Sequence, residues 1–583
     1  VFLFILKNLK RAIIYTIILA IFIVFYGCSQ DKSSELRIIV TTDVHGNIFS
    51  KDLVTDEQLS ANMSKVASYI SDNKNHNTIV LDNGDNLQGN PAVYYYNFED
   101  TSSPHIWAEV LNYLSYDAVT VGNHDLEGGH DVYDRIRKEY NFPMLAANAI
   151  SIVSGEPYFK PFEIIESGGL KVAVIGLITP GVPGWLPEIL YSGIEFEDMV
   201  ESAAKWMPVV QLEQPDIIIG LFHAGWDEEY GPGVAGSYKN ENASLSVARE
   251  VPGFDIVFIG HDHDVKLDYV INKEQDSVLV LDGGSHARYI SVADISISGV
   301  GESRKTKISG QTIRTDTLSP DKSYTDHFSP QFEEVQSYVK REIGTIAESI
   351  STRDSYFGDS PFMDLIHTVQ LETSGADISF AAPLSYDITI EKGAILVKDM
   401  FDLYRFENML YTIMLSGSEI DLYLEYSYSL WIESMKHHSD PLLKLEYSED
   451  YPRFKNRYYN FDSAAGINYT VDVTKEDGDR ISITGMSDGN AFSNDSLYSV
   501  ALNSYRGSGG GGHLIRGCGL DDTEIASRLV KATEKDLRFY MIKWFENNRE
   551  VGILQDNNWK FIPESIVDKA KEREYKLLFI EEL

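Results

Sequence analysis

A chain of 583 residues is too long for one hydrophobic core, so at least two domains are expected. Its hydrophobic fraction of 43% and charged fraction of 24% are those of an ordinary globular protein. With 88 acidic against 50 basic residues the formal net charge is −38, which excludes a nucleic-acid polymer as partner, since such affinity comes from Lys and Arg neutralising phosphates. A phosphate-bearing ligand must then be small and held by a local positive centre.

At the start of the chain Lys7, Lys10 and Arg11 lead into an apolar run over 12–27. Such a run reads either as a signal-anchor helix, which needs about 20 apolar residues to span a bilayer, or as a cleaved export signal. Phe25-Tyr26-Gly27-Cys28-Ser29 with a polar tether over 30–34 favours the second. It resembles a bacterial lipoprotein cleavage site, with aromatic Phe25 and Tyr26 where small aliphatic residues are usual. The expectation is a signal peptide over 1–27, lipid on Cys28, and an exported cell-envelope lipoprotein held at the membrane, periplasmic or outer-membrane associated. With Cys28 lipidated only Cys518 remains, so no intramolecular disulfide can form.

From 36 to about 314 short apolar runs of strand composition recur at 36–42, 78–83, 118–122, 171–178, 216–222, 255–260 and 277–281. Helix-length segments such as 59–74 and 202–212 lie between them. Alternation of this kind predicts a layered α/β domain over 36–318. The polar stretch 319–330, bracketed by prolines, reads as a linker. Phe332, Val335, Val339, Ile343 and Ile346 then predict a connecting helix over 331–349. A second domain over 350–583 mixes helices with strands at 411–415, 468–473 and 498–503.

Chemistry concentrates where the first domain's strands end. Ile38-Ile39-Val40 runs into Asp43-Val44-His45, and Ile79-Val80-Leu81 into Asp82-Asn83-Gly84-Asp85. Val119-Thr120-Val121 meets Gly122-Asn123-His124-Asp125, Ile217-Ile218-Ile219 meets His223-Ala224-Gly225, and Ile256-Val257-Phe258 meets Gly260-His261-Asp262-His263. Ligands of open α/β sheets bind outside the carboxyl ends of strands, and Asp, Asn and His suit divalent metals. One Asp at a strand end is ordinarily a cap or turn residue. Five strand ends delivering such residues in one domain call for a metal site.

The order and wording of these motifs resemble the calcineurin-like metallophosphoesterases, and among them the 5′-nucleotidase family, from Leu36 nearly to the end. The resemblance implies an α/β-β/α sandwich, a linker helix and a C-terminal α/β nucleotide-binding domain. It implies two divalent ions (zinc, manganese, cobalt or iron), one held by Asp43, His45 and His263 with Asp85 bridging, the second by Asn123, His223 and His261. Two carboxylates against two dications leave roughly two net positive charges for a phosphate dianion. His124 is implied to contact the phosphoryl group, with Glu127 as its partner where many relatives carry the shorter Asp. Asp125 reads as a hydrogen-bond acceptor within the loop, and His286 and Arg288 as rim residues. His76, His105, His130, His327, His367, His437 and His438 carry no motif and read as surface or packing residues.

In the second half the likeness rests on three stretches. These are Asp399-Met400-Phe401-Asp402-Leu403-Tyr404-Arg405-Phe406-Glu407-Asn408, then Tyr459-Asn460-Phe461-Asp462 with Gly466-Ile467-Asn468-Tyr469, and Asn503-Ser504-Tyr505-Arg506-Gly507. It implies that Phe406 and Tyr505 sandwich a base, since every base offers a π face. The run Gly509–Gly512 reads either as a place of close backbone approach to ligand or as a flexible loop. Where 5′-nucleotidases carry Asn-Gly-Gly-Gly-Ile-Arg, this chain has Ser379-Phe380-Ala381-Ala382-Pro383-Leu384, without Arg. That wording is similar to the 2′,3′-cyclic-nucleotide 2′-phosphodiesterase/3′-nucleotidase branch. The expected ligands are small nucleotides, with no protein partner. A 5′-nucleotidase or UDP-sugar hydrolase, and a non-catalytic nucleotide-capturing lipoprotein, remain the alternatives.

Overall fold

The computed structural model describes residues 34–226, 240–299, 304–448, 451–552 and 555–579. The signal peptide expected over 1–27 and Cys28 lie outside the described residues, and no described helix is long and apolar enough to cross a membrane.

The first domain holds two six-stranded sheets. The strands of these two sheets in chain order are β1 (Ser34–Thr41), β2 (Thr78–Asp82), β3 (Ala118–Thr120), β4 (Met144–Leu145), β5 (Phe162–Ser167) and β6 (Leu170–Ile178). They continue with β7 (Ile217–His223), β8 (Ile256–Ile259), β9 (Val265–Ile271), β10 (Ser277–Gly283), β11 (Tyr289–Ser298) and β12 (Lys305–Arg314). One sheet runs β12-β11-β1-β2-β3-β4 and the other β9-β10-β8-β7-β6-β5. Their middle strands are parallel; antiparallel strands close both edges of the second sheet and one edge of the first, whose other edge strand, β4, runs parallel to β3.

Alternation along the strands explains why the apolar runs are unbroken. Ile38, Val40, Ile79 and Leu81 face Val172, Val174, Ile219 and Phe258 in a core between the sheets. Their neighbours Ile39 and Val80 turn to a helix layer on one side, and Ala173, Ile175 and Val257 to a layer on the other. Both faces of each sheet are therefore buried, which selects strands that are apolar throughout. The layer packed on the first sheet includes α1 (Met63–Asn73) and α2 (Pro91–Phe98). Asn90 caps α2 by accepting a hydrogen bond from Ala92 N at 3.0 Å, with Pro91 in the first turn, where its missing N–H is harmless.

The connection to the second domain differs from the sequence expectation. The stretch 319–330 carries a short helix, Lys322–His327, whose Tyr324 and following Phe328 are buried. The helix expected over 331–349 is α3 (Ser329–Val339) and stops at Lys340. A strand, Glu342–Ile346, replaces its second half and pairs with Gly393–Leu396 and Glu550–Val551. Ile343 and Ile346 fit a helical spacing, but β-branched Ile343, Thr345 and Ile346 sit comfortably in an extended chain. Gly344 also lies so close to the Arg549 and Phe545 carbonyls that a Cβ there would stand 3.2 and 3.3 Å from them.

The second domain is built on a five-stranded sheet of β13 (Ile378–Ala381), β14 (Met409–Ser416), β15 (Ser463–Ala465), β16 (Leu497–Asn503) and β17 (Leu529–Asp536), ordered β15-β13-β16-β14-β17. Phe380, Ile413, Tyr423, Trp431 and Val500 form its own core. A second apolar cluster crosses the boundary, joining Tyr94 and Val335 to Phe401 and Phe545.

Candidate metal centre

The carboxyl ends of β1, β2, β3, β7 and β8 meet at one rim of the sandwich, and the residues singled out by sequence follow them. Asp43, His45 and His263 offer ligand atoms within 4.8 Å of one another, and Asp85, His223 and His261 do the same. The two groups adjoin: His261 N–H donates to both oxygens of Asp43 at 3.1 Å, and His263 Nε2 lies 3.4 Å from Asp43 Oδ1.

The backbone is strained to deliver them. Asp43 (φ 49°), His45 (51°), Asp85 (58°), His261 (81°) and His263 (60°) all occupy the left-handed region, as does His286 at 56°. Each such non-glycine residue costs about 1–3 kcal/mol, and strain of this kind collects at functional sites. The glycines of the motifs make room. A Cβ on Gly122 would stand 2.0 Å from Asp85 Oδ1, and one on Gly260 would stand 2.2 Å from Thr42 Oγ1 and 2.5 Å from Asp43 Oδ2.

Hydrogen bonds outside the clusters leave lone pairs pointing in. His223 Nδ1–H donates to Asn83 O at 2.6 Å. Its buried Nε2 is 3.0 Å from Asp85 Oδ2 yet off any hydrogen-bond line and has no partner. His45 Nδ1–H donates to Gln88 Oε1 at 3.1 Å, so its Nε2 faces His263 Nε2, also 3.1 Å away. The buried amide oxygen of Asn123 is likewise unpartnered. Orphaned acceptors beside two buried carboxylates suit a cation at each cluster. The residues present therefore fit two divalent ions.

Electrostatics follow from this crowding. Burial would raise the Asp85 carboxyl, but His223, His124 and His45 outweigh it and hold Asp85 well below the usual carboxylate range. Burial and the neighbouring His124 push His45 down to about 3. Burial, His263 and Arg288 push His286 down to about 4, and its ring lies 5.2 Å from that of His45.

His124 N–H donates to Asp85 Oδ1 at 2.8 Å, and its Nδ1–H to Glu127 Oε1 at 2.7 Å, so the longer Glu reaches its partner. Burial alone would depress the imidazole; Glu127 and Asp85 prevail and push it up to about 10. Asp125 accepts from the backbone N–H groups of Asp85, Asn86, Leu87 and Gly122 at 2.8–3.1 Å, which shapes both loops.

On the second domain Phe406 and Tyr505 are exposed, by 41% and 43%. The ring beside Phe406 is Tyr459, at 6.1 Å, and the Arg506 guanidinium lies 5.3 Å over Tyr505. Arg506 is buried and bonds both oxygens of Asp462 at 2.9 Å. The glycine run packs around this pair: a Cβ on Gly510 would stand 2.4 Å from the Tyr505 ring, and one on Gly511 2.4 Å from Arg506 Nη1. These glycines are needed by the protein's own packing.

Sequence reading passed over three groups here. Glu407 accepts from Gly89 N at 3.1 Å, tying the second domain to the loop that carries Gln88. Arg538, 1% exposed, lies 2.7 Å from Glu407 and 3.1 Å from Asp536. Glu241 accepts from His261 Nε2–H at 2.9 Å. None belongs to a recognisable spacing around the metal motifs; Glu407 stands inside a quoted stretch whose aromatic drew the attention.

Comparison with known proteins places names on both halves. Residues 36–265 match the family model for calcineurin-like phosphoesterases, and 342–516 the model for the 5′-nucleotidase C-terminal domain. The chain is similar to the trifunctional nucleotide phosphoesterase protein YfkN of Bacillus subtilis, 28% identical over 91% of this chain but spanning 39% of that longer protein. It is 26% identical to the 2′,3′-cyclic-nucleotide 2′-phosphodiesterase/3′-nucleotidase of Haemophilus influenzae, over 96% of this chain and 92% of that one. Protein UshA of Escherichia coli is 25% identical over 68% of this chain and 76% of that protein. A Staphylococcus aureus structure assigned as a 5′-nucleotidase shares the fold, with a TM-score of 0.70 at 21% identity, over 91% of this chain and 100% of that one.

Proposed function

We propose that this chain, a phosphoric ester hydrolase that joins a calcineurin-like phosphoesterase domain to a 5′-nucleotidase C-terminal domain, hydrolyses 2′,3′-cyclic and 3′-nucleotides at a pair of divalent ions. The observation that carries the reading is the convergence of two buried carboxylates with orphaned Asn123 Oδ1 and His223 Nε2 at one rim. Asp43, His45 and His263 would hold one ion, Asn123, His223 and His261 the other, with Asp85 between. When bound, such ions would neutralise the charge of the phosphate ester, one negative charge on the cyclic diester and two on the 3′-monoester, and make a water nucleophilic near neutral pH.

The chain's own groups do the rest. His124, with Nδ1 tied to Glu127, turns its Nε2–H toward the phosphoryl oxygens and stabilises the charge that builds there. Glu127 fixes the ring and favours the imidazolium. Phe406 and Tyr505, both exposed on the second domain, would hold the base. In the cyclic substrate the oxygen of a water bonds to phosphorus as the P–O2′ bond breaks, and a proton of that water ends on the 2′ oxygen, leaving a 3′-phosphate. A second hydrolysis at P–O3′ would yield the nucleoside and inorganic phosphate.

Ala381 and Ala382 are buried and offer no donor to a 5′-phosphate, which supports 2′,3′-cyclic and 3′-substrates over 5′-nucleotides. The likeness to the 5′-nucleotidase of Vibrio cholerae, 23% identical over 68% of this chain, supports the second reading, a 5′-nucleotidase or UDP-sugar hydrolase. Measuring kcat/KM on 2′,3′-cyclic AMP, 3′-AMP, 5′-AMP and UDP-glucose decides between them. The first two should lead; a clear preference for 5′-AMP would overturn the branch and leave the hydrolase intact. We also propose export with lipid on Cys28, motivated by Gly27-Cys28-Ser29 after the apolar run. Mass spectrometry of the native N-terminus finding an unmodified Cys28 would end that idea.

A further inference from the structure

We propose that Glu241 is a positioning residue that fixes the His261 ring and its tautomer for a divalent ion. The inference rests on the two-metal reading above and adds to it a residue outside every metal motif. Glu241 Oε1 lies 2.9 Å from His261 Nε2. An ionised carboxylate only accepts hydrogen bonds, so Nε2 carries the proton and the lone pair of His261 is left on Nδ1. His223 in the same cluster is the mirror case: its Nδ1–H is spent on Asn83 O at 2.6 Å, and its lone pair is left on Nε2. Each ring thus has one nitrogen anchored outside the cluster and its lone pair on the other, which for His223 lies 3.0 Å from Asp85 Oδ2. Ligating histidines characteristically donate their second N–H to a carboxylate or a carbonyl, which sets ring orientation and raises ligand basicity.

Glu241 is itself held firmly to the strand end that carries His223. Its carbonyl accepts from Thr179 Oγ1 at 3.0 Å, and Thr179 N–H donates to His223 O at 2.7 Å. The next residue, Asn242, accepts from Gly225 N at 3.1 Å. Gly225 has no room for a side chain, because a Cβ there would stand 2.1 Å from Asn242 Oδ1. The Trp185 ring, 5.5 Å from the His261 ring, lies against the same imidazole. Glu241 therefore reaches His261 from a fixed base.

The test is titration of the metal-free full chain with Mn²⁺ alone by calorimetry, for wild type, Glu241→Ala and Glu241→Gln. Glu241→Ala should weaken one of two Mn²⁺ sites by about 10- to 100-fold and leave the other unchanged. Glu241→Gln should recover most of that loss, since its amide oxygen still accepts from Nε2–H. Nitrogen-15 spectra of the metal-free histidines should show His261 as the Nε2–H tautomer in wild type and a mixture in Glu241→Ala, which a merely structural role would not produce. Two unaltered Mn²⁺ affinities in Glu241→Ala would overturn the proposal. So would equal weakening by Ala and Gln, which would make Glu241 a ligand. Wild type that binds no Mn²⁺ would overturn both this proposal and the two-metal reading beneath it, whereas the other results touch Glu241 alone.

Discussion

His124 and Glu127 illustrate how a buried pair sets its own charge. Glu127 and Asp85 push the imidazole up to about 10 against the pull of burial, and its Nε2 stands 4.0 Å from Asp85 Oδ2. Removing one preorganised donor of this type lowers kcat by about 10²–10³-fold. His124→Ala is expected to show that loss in steady-state assays while elemental analysis finds its metal content unchanged; loss of metal would make His124 a ligand instead. Glu127→Gln should give a smaller defect. A different cluster makes a prediction about pH. Asp359, Asp364 and Asp556 converge far along the chain from the metal motifs, and burial together with Asp359 pushes the Asp364 carboxyl up to about 8. The unfolded chain releases that proton near pH 4, so the native state binds more protons between the two values. This stabilising contribution is complete below about pH 4 and lost as pH rises through about 8. Asp364→Asn, which cannot ionise, is therefore expected to melt higher than wild type at about pH 8.5, with the gap closing toward about pH 4. A variant that melts lower at the alkaline end would contradict the assignment.

At the scale of elements, α2 joins the metal loop to the second domain. It starts just after the metal loop, and the second domain grips it. Tyr94 lies 5.4 Å from the Phe401 ring. The Arg538 guanidinium sits 4.4 Å over Phe401 and 5.6 Å over Tyr94, and Lys535 lies 4.4 Å over Phe98. Because Arg538 is buried between Glu407 and Asp536, removing it leaves uncompensated carboxylates. Arg538→Met should destabilise the protein by about 3–5 kcal/mol, read as a lower urea midpoint; an unchanged midpoint would show that the pair is not a structural tie. Nothing in the sequence flags this grip, since Arg538 stands in the first turn of the mostly apolar helix Leu537–Asn547 and meets Glu407 only through the fold. The five strand ends, by contrast, were legible because both faces of their sheets are buried: each strand is an unbroken apolar run that stops abruptly at polar ligands. Edge strands such as β9 and β12, half exposed and mixed in composition, gave no such signal. The expected helix over 331–349 failed for a related reason. Val335, Val339, Ile343 and Ile346 satisfy a helical period, while the pairing that draws Glu342–Ile346 into a sheet comes from Gly393–Leu396 and Glu550–Val551, distant in sequence. Glu241 was illegible in the same way, standing in no motif and meeting His261 only in space.

At the scale of the whole molecule, the proposed metal chemistry and the proposed base grip lie on two domains that share an apolar cluster. A base held by Tyr505 adds about 1–3 kcal/mol. Tyr505→Ala should therefore raise KM for nucleotides roughly 5- to 150-fold and leave p-nitrophenyl phosphate, which has no base, nearly unaffected. Equal loss on both would show that Tyr505 shapes the domain without gripping the base. The strongly acidic surface fits this division, since only a local positive centre can hold a phosphate on a chain of net charge −38. In the proposed reading that centre depends on Asp85, which stands in the second cluster 3.0 Å from His223 Nε2 and would bridge the two ions. The most direct test is to measure bound metal and turnover together for wild type and Asp85→Asn on 2′,3′-cyclic AMP. Wild type should hold about two divalent ions per chain, and the variant should lose at least one with turnover nearly abolished. A variant that has lost an ion and still turns over at the wild-type rate would contradict the two-metal account.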